Sequence, residues 1–141
     1  MKRIVGLALL SLATLGVTIG AQAQEHAIIV NVPFEFAVGN KVLPTGTYTV
    51  TSHLPSYIKV ESADRRLTAE ITATQSHHDA GGSSKLVFNT YGNRYFLHRV
   101  LCANISSLNA DLPNSSSEKR ARSHAEEARL EPTETVLLAS K

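Results

Sequence analysis

The stretch Lys85-Leu86-Val87-Phe88-Asn89-Thr90-Tyr91-Gly92-Asn93-Arg94-Tyr95-Phe96-Leu97-His98-Arg99-Val100-Leu101-Cys102-Ala103 decides how the rest of the chain is read. Two runs rich in β-branched and aromatic residues flank the dipeptide Gly92-Asn93. Glycine reaches positive φ without steric cost, so the dipeptide suits the primed turn of a tight β-hairpin. Both runs are apolar on both parities, with Leu86, Val87 and Phe88 in one and Tyr95, Phe96, Leu97, Val100 and Leu101 in the other. Strands of that kind are covered on both faces, so this hairpin is expected at the centre of the fold.

Working upstream, Leu67, Ala69, Ile71 and Ala73 alternate with Thr68, Glu70, Thr72 and Thr74. Period-two alternation is the mark of a strand with one buried and one wet face. Tyr57 to Glu61 repeats it, with Ile58 and Val60 against Lys59 and Glu61, and so does Thr47 to Thr51. Pro44-Thr45-Gly46 reads as a tight turn before the latter. His26 to Val38 is a longer β-type run that Pro33 interrupts. Proline donates no ladder hydrogen bond, so an edge, a bulge or two short strands is expected there. Gly39-Asn40 is a second turn signal, and the polar stretch from Gln75 to Ser84, with Gly81-Gly82, reads as a mobile loop.

Downstream the character changes. Asn109 to Ser117 is polar and reads as a linker. Ser115 and Glu118 have the spacing of a capping box, and Glu118 to Leu130 is rich in helix formers. Glu118 and Arg122 are placed to pair at i, i+4. The apolar face, Ala121, Ala125 and Ala128, is weak, so an exposed helix is expected. Pro132 stops it, and Val136-Leu137-Leu138 reads as a short strand or a tail.

The first residues are of another kind. Lys2 and Arg3 precede an uncharged apolar run from Ile4 to Ile19, and Ala21-Gln22-Ala23 offers small residues at a cleavage position. That is the three-part layout of a secretory signal peptide, and the run is short for a membrane span. Without a second such run, no membrane span is expected after cleavage. Of 141 residues 43% are apolar and 18% charged, which is a globular composition. Lys2 and Arg3 account for the whole formal charge of +2. The remainder is neutral, with no electrostatic reason to meet nucleic acid. The single cysteine, Cys102, allows no internal disulfide, and its apolar neighbours Val100 and Leu101 point to burial. The expected organisation is a signal peptide over 1–23, a β domain over 24–108, and a linker, exposed helix and tail over 109–141.

The segment Val32-Pro33-Phe34-Glu35-Phe36, Val38-Gly39-Asn40 and Leu43-Pro44-Thr45-Gly46-Thr47-Tyr48-Thr49-Val50 resembles the opening of a group of small exported proteins of unknown function from soil bacteria, acidobacteria especially. The likeness extends over Val32 to Leu130 and includes the hairpin and the charged helical tail. Thr45 stands where alanine is commoner in that group. The resemblance implies export after signal cleavage. It carries no catalytic or binding residues.

Chemistry-bearing constellations are few. Glu25 with Glu35, or Glu61 with Glu70, could be paired as acid and base, but each falls on the polar face of its strand. His77-His78-Asp79 holds common metal ligands. Adjacent side chains diverge on an extended chain, so His53 or His98 would have to converge on them. His98 and Cys102 lie four residues apart on one strand, about 13 Å, too far for a nucleophile and its base. The serines lack a nucleophile elbow. Tyr48, Tyr57, Tyr91 and Tyr95 could line a groove or cover a sheet. Asn104 and Asn114 open sequons that matter only in a eukaryotic secretory route. Arg65-Arg66 and the Lys119 to Arg122 cluster read as solvated surface.

The expectation is therefore an all-β fold, an antiparallel β-sandwich or small barrel of six to eight strands, with a C-terminal helix and an N-terminal signal helix. It is read as a secreted or periplasmic domain without enzymatic activity, with no catalytic, cofactor-binding or metal-ligating residue assigned. It would bind or scaffold a protein or glycan partner in the cell envelope or medium. The alternative is a small-ligand or metal carrier using the His77-His78 loop or an interior cavity. Intact-mass measurement of the exported protein should find a chain beginning at Gln24, and a stable form retaining Met1 to Ala23 would overturn the secretory reading.

Overall fold

The structure is a computed structural model that describes residues 27–54, 56–103, 105 and 109–139; the expected signal peptide lies outside them. The described chain is a β-sandwich with one helix. The elements run β1 (Ala27–Val32), β2 (Phe36–Val38), β3 (Lys41–Leu43), β4 (Gly46–Leu54), β5 (Tyr57–Ser62), β6 (Thr68–Thr72), β7 (Thr74–Gln75), β8 (Lys85–Tyr91), β9 (Arg94–Leu101), β10 (Ala110–Asp111), α1 (Ser116–Glu127) and β11 (Thr133–Leu138). Seven of these strands have five or more residues, and the other four are two- or three-residue pieces where the chain passes between sheets or turns.

One sheet has the order β1-β4-β5-β6 and is antiparallel throughout. The predicted alternation holds in it. Ile28, Val30, Val32, Val50, Ile58, Val60 and Ala69 point inward and are buried, while the intervening side chains face solvent. The other sheet has the order β11-β8-β9-β10-β7, with β2 and β3 attached beside β9. Its centre is the β8–β9 hairpin, closed at Gly92-Asn93 with Tyr91 opposite Arg94. Leu86, Phe88, Leu97 and Val100 fill the space between the sheets. The register shifts between Val87 and Phe88, where Arg99 and Leu97 are the successive partners, so His98 is the extra residue of a β-bulge. The outer face of this sheet is covered twice. Ala80 of the loop after β7 packs on Val87 and Leu101, and Ala121 and Ala125 of α1 pack with Ala37, Tyr91 and Phe96. The expected two-sided burial of the hairpin follows from these two covers.

Pro33 marks a change of sheet. β1 ends at Val32 and β2 begins at Phe36 on the opposite layer. There β2 pairs parallel to β9, Phe36 with Tyr95 and Ala37 with Phe96, so the sheet is mixed rather than purely antiparallel. β10 occupies the other half of that edge of β9, against Arg99 and Val100. After the β2–β3 hairpin the chain returns to the first sheet, and Gly46 opens β4 opposite Val32. Pro44 accepts a 2.6 Å hydrogen bond from the Tyr48 hydroxyl, which lets that large side chain sit in the core. Gly46 has φ +158°, at the margin of extended backbone rather than in the left-handed region of a compact turn. A second change of sheet joins β6 to β7 across the buried Ala73.

The segment expected as a linker is built into the sandwich. Asn109 is 1% exposed, Ala110 forms β10 and Leu112 enters the core. Asn109 accepts from the Cys102 N–H at 2.8 Å and donates to the His78 carbonyl at 2.7 Å. A buried amide with its polar atoms engaged is a strong local constraint. The expected mobile loop is thereby anchored at His78, and also at Ser76 and Ala80, which are buried. The helix is not fully exposed either. Ser115 is its N-cap and accepts from the Glu118 N–H at 3.1 Å, as the capping spacing predicts. The Glu118 carboxylate, 3% exposed, turns inward and accepts from Asn89 at 2.8 Å and the Tyr91 hydroxyl at 3.2 Å. Arg122 pairs instead with Glu126.

Gly39 sits at φ +60°, and a Cβ there would lie 3.1 Å from Ile71 Cδ1. Gly39→Val should therefore lower stability by about 1–3 kcal/mol through backbone strain and crowding. Chemical denaturation checks this, and an unchanged midpoint would contradict it.

Candidate functional site

The fold leaves β6 at the end of its sheet. Its register decides where its main-chain groups point. The Ser62 N–H donates to the Leu67 carbonyl at 2.8 Å, and the Ala73 N–H donates to the Ser56 carbonyl at 2.9 Å. In an antiparallel pair hydrogen-bonded partners alternate. Ala69 and Ile71 therefore spend their main-chain groups on β5, while Thr68, Glu70 and Thr72 direct theirs to the opposite side. The Lys41 ammonium donates to the Thr68 carbonyl, which confirms that direction.

That side of β6 opens on a cleft of about 740 Å³. Thr68 to Ile71 form one wall, Val38 to Lys41 another, and Pro113 and Ser115 close it beneath the start of α1. The second wall is held by the helix. Asn40 accepts from the Ser117 N–H at 3.2 Å and from the Ser116 hydroxyl at 3.1 Å, and Ser117 donates to the Gly39 carbonyl at 3.3 Å. An amide oxygen at a helix N-terminus satisfies donors that the helix cannot. The turn and the helix thus hold each other, which positions that wall of the cleft. Glu70 is exposed at its rim and bonds the Tyr57 hydroxyl, which raises the tyrosine pKa. The cleft offers an extended strand edge, two opposite charges and the apolar side chains of Val38 and Ile71.

The sequence-level candidates are dispersed. His77, His78 and Asp79 are exposed beside a shallow depression of about 250 Å³. Asp79 Oδ1 is engaged by the Gly81 N–H at 3.1 Å. Among the described residues no group of three histidine, cysteine, aspartate or glutamate side chains is placed to hold a metal ion. The His53 side chain and Glu25 lie outside what is described. His98 Nδ1 is buried at the bulge without a partner among the described residues. Cys102 is buried, and burial pushes its thiol pKa up, the direction of an unreactive thiol. Glu61 is bound by Lys59 at 2.7 Å on the wet face of the first sheet, with a lowered pKa to match. The tyrosines do not converge. Tyr48 is in the core, Tyr91 is under the helix, and Tyr95 stacks on Phe34 with ring centroids 3.8 Å apart. Sequence reasoning passed over the β6 cleft because its walls come from three distant segments. The available signal was the alternation of Thr68 to Thr74, which marks a half-wet strand but not an edge.

No family model, curated protein or solved structure matches the chain. Among the described residues no helix is long and apolar enough to cross a membrane.

On the larger sheet, Arg99 Nε donates to Asp111 Oδ1 at 2.7 Å and ties β9 to β10. Burial alone would raise the Asp111 pKa. Hydrogen bonds from Arg99 and Ser76, with the charges of Arg99 and His78, outweigh that and hold it below the usual carboxylate range. A carboxylate whose folded pKa is depressed contributes stability above its unfolded pKa, about 3.9, and loses it as pH falls through the folded value. The pair is partly solvated and is worth ~1 kcal/mol at neutral pH after screening. Asp111→Asn should therefore lower stability at pH 7 and flatten its decline below about pH 4. Denaturant midpoints measured across the acid range test this, and parallel curves for the two proteins would refute it.

Proposed function

We propose that this chain is an exported, non-catalytic binding domain whose β6 cleft takes up an extended polypeptide segment of a partner in the cell envelope or medium. The observation that supports it is the edge of β6 facing the cleft, unpaired among the described residues, with the main-chain groups of Thr68 and Glu70 directed into it. A partner chain laid along that edge would add a strand to the β1-β4-β5-β6 sheet, with main-chain hydrogen bonds for affinity and side-chain pockets for choice. Polypeptide fits this edge better than glycan, because its donors and acceptors repeat at the spacing of the strand it meets. Lys41 already holds the Thr68 carbonyl, so an incoming strand competes with that ammonium or enters beyond it. The secretory layout of residues 1–23 and the charge neutrality of the remainder agree with a partner outside the cytoplasm that is not a nucleic acid.

A photoreactive residue in place of Glu70 should give covalent adducts with an envelope or secreted polypeptide in the producing cell. The same residue at Arg120, exposed on the helix, should not. Thr68→Pro deletes a main-chain N–H on the cleft side of β6 while sparing the ladder to β5, and should suppress the adducts. Equal labelling at both positions would remove the support for the cleft.

A further inference from the structure

Among the described residues, the opposite side of the sandwich presents a second strand edge with no hydrogen-bonded neighbour, of different chemistry. β11 ends the larger sheet, and β1, the outer strand of the smaller sheet, lies against it. The Ala139 N–H donates to the Ser84 carbonyl at 2.9 Å. Alternation then assigns the main-chain groups of Thr135 and Leu137 to β8 and directs those of Glu134, Val136 and Leu138 outward. The same three residues carry their side chains on the solvent face, where Val136 is 49% and Leu138 66% exposed. A strand edge with outward main-chain groups and bare apolar side chains is a template for further pairing.

We propose that β11 pairs antiparallel with β11 of a second copy of this chain, making a two-fold dimer with a sheet continuous across the axis. The register is self-complementary. An axis through Val136 sets Val136 against its own copy and Glu134 against Leu138 of the other chain. These are the residues whose main-chain groups point outward, so each pair can exchange hydrogen bonds. Lys85 lies beside Leu138 on β8, on the same face, so each Glu134 meets an apolar residue backed by a cation and no like charge. The β6 edge fails the same test. An axis through Glu70 would set two carboxylates against each other, and like charges directly opposite are destabilising. β1 adds agreement, since Ile29 is 50% exposed at the middle of the neighbouring edge. This inference is independent of the cleft reading, because the two use opposite edges of the sandwich.

Sedimentation of the purified protein over a range of concentrations, with substitutions at the exposed Leu138, tests it. The wild type should be a dimer. Leu138→Glu puts a carboxylate opposite Glu134 of the other copy and should weaken the dimer by about tenfold or more, because the contact occurs twice. Leu138→Lys puts a cation opposite Glu134 and should leave the dimer tighter than Leu138→Glu does. Glu70→Lys, on the far edge, should change nothing. A monomeric wild type, equal effects of the two Leu138 substitutions, or loss of the dimer in Glu70→Lys would each overturn the proposal.

Discussion

A chain of aromatic contacts crosses the sandwich where the polypeptide changes sheets, and the rest of the fold is arranged around it. Tyr95 stacks on Phe34, Phe34 meets Phe88 edge to face at 5.3 Å, Phe88 meets Phe36 at 5.5 Å, and Phe36 meets Tyr48 at 5.1 Å. Edge-to-face rings gain beyond the area they bury. The series links β9, the crossing segment, β8, β2 and β4, and so couples both sheets through one set of rings. With only one cysteine and so no internal disulfide, this packing has to supply the cohesion that some small domains take from cross-links. Pro33 ends the ladder of β1 just before the first of these rings.

The second constraint is the seat of the helix. Its mean apolar character is low, and two alanines alone would hold it weakly. The buried Glu118 carboxylate, hydrogen-bonded to Asn89 and Tyr91, and the Asn40 oxygen at its N-terminus give it polar anchors at one end. A partner-bearing buried carboxylate is costly to break and specifies orientation more than it adds net stability. Because Asn40 belongs to the β2–β3 turn, the helix also sets the position of the cleft wall.

Much of the architecture was legible in local pattern. The alternation of β4, β5 and β6, the Gly92-Asn93 hairpin, the break at Pro33 and the Ser115 cap each follow from one residue's backbone chemistry or from a short period. What could not be read was the pairing between segments far apart in the chain. Nothing in Phe36-Ala37-Val38 says that it lies parallel to Tyr95 and Phe96. Asn109 looks like linker composition because its side chain is polar, and only the structure shows the Cys102 and His78 main-chain groups that occupy it. Glu118 was expected to face Arg122 for the same reason. The cleft depended on these non-local contacts, and it was therefore invisible. The histidines at 77 and 78 were visible as residues, but whether a further ligand stands beside them is a matter of tertiary placement, and among the described residues none is grouped with them.

The split edge of β9 has a consequence for the order of assembly. β2 and β10 share that edge, so a segment early in the chain and one late in it complete the same strand. A chain synthesised N-terminus first presents β1 to β6 well before β9 exists. Those strands can pair locally, but their inner faces have nothing to lie against until the hairpin arrives. Contacts between distant segments are slow to form, and half a sandwich has no core of its own. The sandwich therefore closes late, when the arrival of Phe88 joins the rings of Phe34 and Phe36.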